Sequence, residues 1–246
     1  LTWVKNKVLR LPVSRKGRIV DGHAGFISGS TFLAEGLPLN TLYIHEYAGV
    51  NPETGQSQWM KLERKYDEDG TTIISEKWVK TSDYGNLGSD QDSKKLYDST
   101  LADIFGGFGT TLYAYGFDLS IAFDYQLGGT TIDGSYAGYM APSTASSLGK
   151  NYHLDLLDAW NKETNPNSDI PRFQFADEYV NATSTRFLIS SNYLNISNIS
   201  LGYTFPAKWW NGHISNLRVY VVCDNVWYWS ARKGFDPRGG GSYAPI

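Results

Sequence analysis

Every second residue from Phe117 to Leu127 is large and apolar, with Asp118, Ser120, Ala122, Asp124 and Gln126 between them. Successive side chains leave a strand in opposite directions, so this period of two predicts a strand with unlike faces. A protein core and a lipid bilayer select the same alternation, and the segment alone leaves the medium of its apolar face open. Just upstream, Ile104, Phe108 and Leu112 mark another strand, ending in a minimal turn at Ala114-Tyr115-Gly116. That is as short as hairpins allow. Downstream, Ile199, Leu201, Tyr203 and Phe205 share one face and Ser200, Gly202 and Thr204 the other, up to Pro206, which cannot donate to a ladder. Finally Leu217, Val219, Val221 and Cys223 oppose Arg218, Tyr220, Val222 and Asp224.

Trp59 to Trp78 reads as a separate hairpin around Asp67-Glu68-Asp69-Gly70, whose Asp-Gly pair suits the positive-φ turn positions. The D-x-D-G fragment resembles the start of a calcium loop, but the later ligands and closing Glu are not at the required spacing, so a turn is expected. Gly128 to Ser190, about 60 residues rich in Gly, Ser, Asn, Asp and Pro, predicts a long excursion, a length typical of functional or disordered loops. One short helix is expected within it, near Tyr152 to Trp160, placing Leu154, Leu157 and Trp160 together.

The connections between the strand pairs run short, long, short, which is the rhythm of an up-and-down outer-membrane barrel. On that reading Trp209 and Trp210 mark the periplasmic interface and Trp227, Tyr228 and Trp229 the opposite end. A soluble β-sandwich, with inner faces that alternate in the same way, is the competing architecture.

Composition changes this picture little. The chain has 246 residues, enough for a sizeable core, and 17 Tyr, 11 Phe and 8 Trp make it aromatic-rich. A net charge of −3 offers no electrostatic basis for nucleic-acid binding. Cys223, the sole cysteine, excludes an intrachain disulfide and a thiolate cluster and is expected to be a small buried apolar residue. No apolar run is long enough for a spanning helix, which does not exclude a barrel. The opening "LTWVKNKVLR" does not read as a signal peptide.

His23, His45, His153 and His213 are expected in loops or turns and lack the spacing of a zinc helix. Nucleophile-elbow, P-loop and dinucleotide motifs are missing, so no cofactor is expected and the chain does not read as an enzyme. Asp118 and Asp124 lie about 20 Å apart along one strand, too far for a glycosidase pair, which weakens a glycoside-hydrolase reading. The N-x-S/T sequences at Asn181, Asn195 and Asn198 are assigned no modification.

Several phrases, in order, resemble one family. "YAGVNPETGQSQW", "FGGFGTTLYAYGFDLSIAFDYQLGG", "LLDAWNKETNPNSDIPRF", "RFLISSNYLNISNISLGYTFPAKW" and "LRVYVVCDNVWYWSARKGFDP" are similar to the C-terminal barrel region of SusC-like (RagA/SusC) TonB-dependent outer-membrane transporters of Bacteroidota. The likeness covers most of Leu42 to Pro237. It implies an all-β chain, an antiparallel transmembrane β-barrel segment contributing about eight strands to a roughly 22-stranded barrel, with long extracellular loops. Residues 1–246 would be the C-terminal part of that barrel, without the plug, the N-terminal domains or the final strand. The implied function is TonB-dependent import of glycans or oligopeptides across the cell outer membrane. The implied partners are a SusD-like surface lipoprotein, TonB through the missing N-terminal region, and outer-membrane lipid. Asp118, Asp124, Arg218 and Asp224 are expected to face the lumen, and Tyr136, Tyr139, Tyr152 and Trp160 to be candidates for substrate contact. The alternative is a secreted β-sandwich carbohydrate-binding module.

Overall fold

The computed structural model describes residues 1–239 except Gly70, Ser146 and Gly212, together with the backbone of Ser242 and Tyr243. The chain is all-β, with 46% of residues in strands and antiparallel sheets throughout. In chain order the first elements are β1 (Thr2–Trp3), β2 (Arg18–Val20), β3 (His23–Ser28), β4 (Thr31–Ala34), β5 (Thr41–His45), β6 (Tyr47–Val50), β7 (Ser57–Tyr66), β8 (Ile73–Thr81), α1 (Tyr84–Leu87) and β9 (Lys94–Ser99). Then follow β10 (Ile104–Ala114), β11 (Phe117–Leu127), β12 (Thr130–Ile132), α2 (Gly134–Met140), β13 (Leu188–Ser190), β14 (Tyr193–Phe205), β15 (Leu217–Ser230), β16 (Phe235–Asp236) and β17 (Ser242–Tyr243).

The large sheet has the order β1-β10-β11-β14-β15. Its long strands run 11, 11, 13 and 14 residues, whereas β1 adds only two. This falls short of the eight strands expected, because β2–β9 pair among themselves in two smaller sheets, β2-β3-β4-β5-β9 and β6-β7-β8. The connection from β10 to β11 is two residues long, with Tyr115 at φ 52° and Gly116 at φ 88°. Positive φ at both positions matches the twist of the flanking strands.

Register makes the two faces of the large sheet coherent across strands. Phe108 pairs with Phe123, Phe123 with Ile196, and Ile196 with Trp227; lower down Leu112, Leu119, Leu201 and Val221 line up in the same way. The apolar alternation of β14 slips by one residue between Ile196 and Ile199. A bulge at Ser197 absorbs the slip, so both halves of the strand present their apolar residues to one side. That side is uncovered: Phe108 is 55%, Leu112 60% and Val221 64% exposed. Cys223 stands exposed on it as well, because nothing in the described chain packs there to bury it.

Buried clusters occur in the connecting segments instead. Phe32, Ala34 and Tyr43 form one; Tyr136, Ala137, Met140 and Phe187 form another, helped by Ile132, Leu156 and Ile170. The expected helix near Tyr152–Trp160 is a 3-10 turn, Leu154–Asp158. Leu154 and Leu157 stay exposed there, since Leu156 is the residue turned toward the core. The Trp59–Trp78 hairpin is present as β7 and β8, with Asp67 Oδ1 accepting from the N–H of Thr71 and Thr72 at 2.8 and 3.0 Å. Gly70 of its turn lies outside the described residues. Among the described residues, no helix is long and apolar enough to cross a membrane.

Candidate functional site

The face of the large sheet opposite Phe108 and Phe123 carries a set of cross-strand polar contacts. Arg218 on β15 donates from Nη2 and Nε to the two carboxylate oxygens of Asp118 on β11, at 2.6 and 3.1 Å. These strands are not neighbours, so the pair passes over β14, at Gly202. A Cβ on Gly202 would lie 2.5 Å from Arg218 Nη2 and 2.6 Å from an Asp118 oxygen. Glycine is what leaves room for the fork-to-carboxylate geometry. Further along, Asn195 Nδ2 donates to Asp124 at 2.8 Å and Asn198 Nδ2 to Asp224 at 2.7 Å. Thr111 and Ser120 hydroxyls meet at 2.9 Å.

Asp118, Asp124, Arg218 and Asp224 therefore share one sheet face, each with a partner. The sequence pattern did not reveal those partners, because they depend on inter-strand register. The same face is not uniformly polar: Tyr113 and Tyr220 are 79% and 59% exposed, on either side of the Asp118–Arg218 pair.

The second part of the candidate site is the excursion between β11 and β14. Asp133 caps α2 by accepting from Tyr136 N–H at 2.8 Å and is fully buried. It also accepts from Arg232 Nη1 at 2.8 Å, and the Arg232 guanidinium lies 3.7 Å from the centre of the Tyr136 ring. Arg232 lies two residues past the end of β15, so this ion pair ties the excursion to the end of the large sheet. Tyr136 is 9% exposed and its hydroxyl donates to Asp155 at 2.7 Å; burial, assisted by that carboxylate, pushes its pKa up to about 12.

The other aromatic candidates take different positions. Tyr139 is 41% exposed, on α2. Tyr152 bonds Ser143 through its hydroxyl and sets its ring edge-on to Phe173 at 4.9 Å. Trp160 donates its backbone N–H to the Ile170 carbonyl at 2.8 Å and lays its indole against Gly55. Tyr136 and Tyr139 thus belong to α2, while Tyr152 and Trp160 lie in the segment that follows it, packed against Phe173 and Gly55. Sequence reasoning missed α2, Asp133 and Arg232; an Asp three residues before Tyr136 was the available capping signal.

Two of the four histidines differ from the expectation of loops or turns, His23 opening β3 and His45 closing β5, whereas His153 and His213 lie outside strands and helices as expected. His45 is 1% exposed within β5, not in a loop; its Nε2 lies 3.1 Å from the Asp90 carbonyl and its Nδ1 3.3 Å from the Tyr84 hydroxyl. Burial lowers its pKa, since a charged imidazole would lose its hydration there. Among the described residues, no group of three or more His, Cys, Asp or Glu side chains is placed to hold a metal.

Neither a protein-family model nor a curated protein matches the chain. Solved structures do. The chain is similar to one described as the structure of the RagAB peptide transporter, at 25% identity and TM-score 0.69, covering 96% of this chain and 23% of that one. It is similar also to the RagAB peptide importer in the "closed-closed" state, at 26% identity and TM-score 0.68, covering 96% and 24%. For the "open-open" state the values are 25%, 0.67, 96% and 23%. The chain thus spans about a quarter of the length of the transporter chains whose fold it shares.

Proposed function

We propose that this chain forms wall and outer loops of an outer-membrane nutrient importer of the SusC-like, TonB-dependent class, taking up oligopeptides or glycans beneath a SusD-like surface lipoprotein. The observation that carries the reading is the uncovered apolar face of β10, β11, β14 and β15. Eleven residues rise about 37 Å and, tilted by about 40°, span about 28 Å of depth, which matches an apolar band of about 25 Å. A face of that height and exposure is stable in hydrocarbon and costly in water.

The opposite face then lines the interior, where Asp118, Asp124, Arg218 and Asp224 meet water or a plug. Tyr136 acts through the packing of the excursion, while Tyr139, Tyr152 and Trp160 remain the aromatic groups closest to passing substrate. The similarity to peptide importers over nearly the whole chain supports the same reading. A carbohydrate-binding sandwich would need a second sheet over the apolar face, and no described residue supplies one.

The test is extraction and uptake. The protein carrying this chain should require detergent for extraction, and its deletion should abolish growth on one class of oligopeptide or glycan while leaving growth on monomers intact. A monomeric protein, soluble and folded in plain buffer, would sink the proposal.

A further inference from the structure

Two turns of the outer segment are built alike. Asn51 Oδ1 accepts from the N–H of Glu53 and Thr54 at 2.9 and 3.2 Å, and Gly55 N–H donates to the Asn51 carbonyl at 2.8 Å. Asn161 Oδ1 accepts from Glu163 and Thr164 at the same two distances, and Asn165 N–H donates to the Asn161 carbonyl at 2.9 Å. Each is an Asx turn in an Asn-x-Glu-Thr sequence.

The two turns are docked through Trp160. Its indole covers Gly55 so closely that a Cβ there would lie 2.1 Å from the ring. Arg172 completes the joint, donating its N–H to the Gly55 carbonyl at 2.8 Å, Nη1 to the Thr54 carbonyl at 3.1 Å and Nε to Asp177 at 3.0 Å. Between residues 160–163 and 172–174 this leaves an open groove of about 530 Å³. Its walls are held by the bonds just described, so a ligand would not have to order them on binding.

The lining narrows the ligand. Lys162 and Glu163 place opposite charges side by side on one wall, and Phe173, 46% exposed, offers a ring on the other. The backbone N–H and carbonyl of Phe173 and the N–H of Gln174 make no hydrogen bond to described residues. Unpaired backbone donors and acceptors beside an aromatic side chain are what a peptide main chain can pair with. Opposed charges fit a molecule that carries both an ammonium and a carboxylate, which pairs with each at full charge, whereas a neutral glycan offers them only hydroxyl hydrogen bonds.

We propose that this groove holds a short peptide with free termini, with Glu163 receiving the α-ammonium, Lys162 a carboxylate and Phe173 a side chain. The inference rests on the import reading and names the substrate class it handles. The test is calorimetric titration of the full-length protein in detergent with the pentapeptide Ala-Ala-Phe-Ala-Ala, the same peptide acetylated and amidated, and maltohexaose.

The free pentapeptide should bind, and blocking both termini should weaken it about a hundredfold, about tenfold for each of the two charge-assisted hydrogen bonds lost. Phe173→Ala should weaken both peptides, whereas Glu163→Gln should weaken only the one with a free ammonium. Both side chains are peripheral to the docked turns, whose bonds use the Glu163 backbone alone. Peptide affinity unchanged in both variants, or binding of maltohexaose but not of the pentapeptide, overturns the assignment. Either outcome leaves import intact if deletion still abolishes uptake; only loss of the uptake phenotype touches that reading.

Discussion

Replacing Ile121 by Arg puts the assignment of the two sheet faces to its strictest test. Ile121 is the fifth of the eleven residues of β11, between Thr110 and Ile199 on the adjacent strands. Four rises separate it from the turn end and six from the other. At the same tilt of about 40° these correspond to about 10 and 16 Å of depth, close to the middle of an apolar band of about 25 Å. An Arg at that depth costs about 2–4 kcal/mol, reduced at most by the side chain reaching toward an interface.

Ser120 is the matched control, one residue away at nearly the same depth but facing Thr111 and Ser200. Its replacement by Arg forfeits the 2.9 Å contact with Thr111, worth about 1 kcal/mol. Urea-titrated folding of the full-length protein into phosphatidylcholine vesicles, read by tryptophan fluorescence and by the heat-induced shift on a gel, should show Ile121→Arg losing the larger amount. Equal losses, or a larger loss at Ser120, would mean that the apolar face does not meet lipid.

Gly202→Ala should lower the thermal midpoint, because the added Cβ collides with both ends of the Asp118–Arg218 pair; in the Asp118→Ala, Arg218→Ala double variant the same change should be nearly neutral, as a thermal double-mutant cycle would show. Asp133→Ala removes both the cap of α2 and the partner of Arg232, at a cost of about 1–3 kcal/mol. Limited proteolysis should then cut residues 134–187 while the heat-shifted band persists; simultaneous loss of both would show that the excursion and the wall fold as one unit. His45, whose pKa is lowered by burial from 6.5, favours the folded state fully above pH 6.5. That contribution is lost progressively as pH falls through 6.5 toward its folded-state value, so proteolysis of residues 41–99 should accelerate between pH 7 and 5. His45→Phe should abolish that pH response.

The wall was legible because its code is local. A strand with different media on its two faces must alternate, and from Phe117 to Leu127 it does so without a break. The outer strands β2 to β6 and β9 are three to six residues long and lie in sheets whose sides are unevenly covered, as in β5, where all five residues are buried. Five residues buried on both faces carry no alternation to read. Helix α2 was hidden for another reason: Gly134 and Gly138 are poor helix formers, and Asp133, Met140 and Phe187 hold it by tertiary contact. The Asp118–Arg218 pair was out of reach because it depends on two registers at once, 100 residues apart in the chain.

On the proposed reading, the division between legible and illegible parts follows the division between lipid and water. Among the described residues the long strands have no buried cluster of their own, and their apolar side chains stack on one another across the sheet with their outer surface exposed. The outer segments bury Phe32, Tyr43, Met140 and Phe187 in small cores of their own, as elements exposed to water must. The two parts are joined where Arg232, leaving β15, reaches the buried carboxylate of Asp133. An ion pair at that junction can stay fixed only if the end of β15 and the start of the excursion move together. The ion pair thus couples the outer end of β15 to the base of the excursion, and the segments that carry Trp160 and Arg172 are tied in turn to the Asn51–Gly55 turn, so the contacts run without a break from β15 to the docked turns.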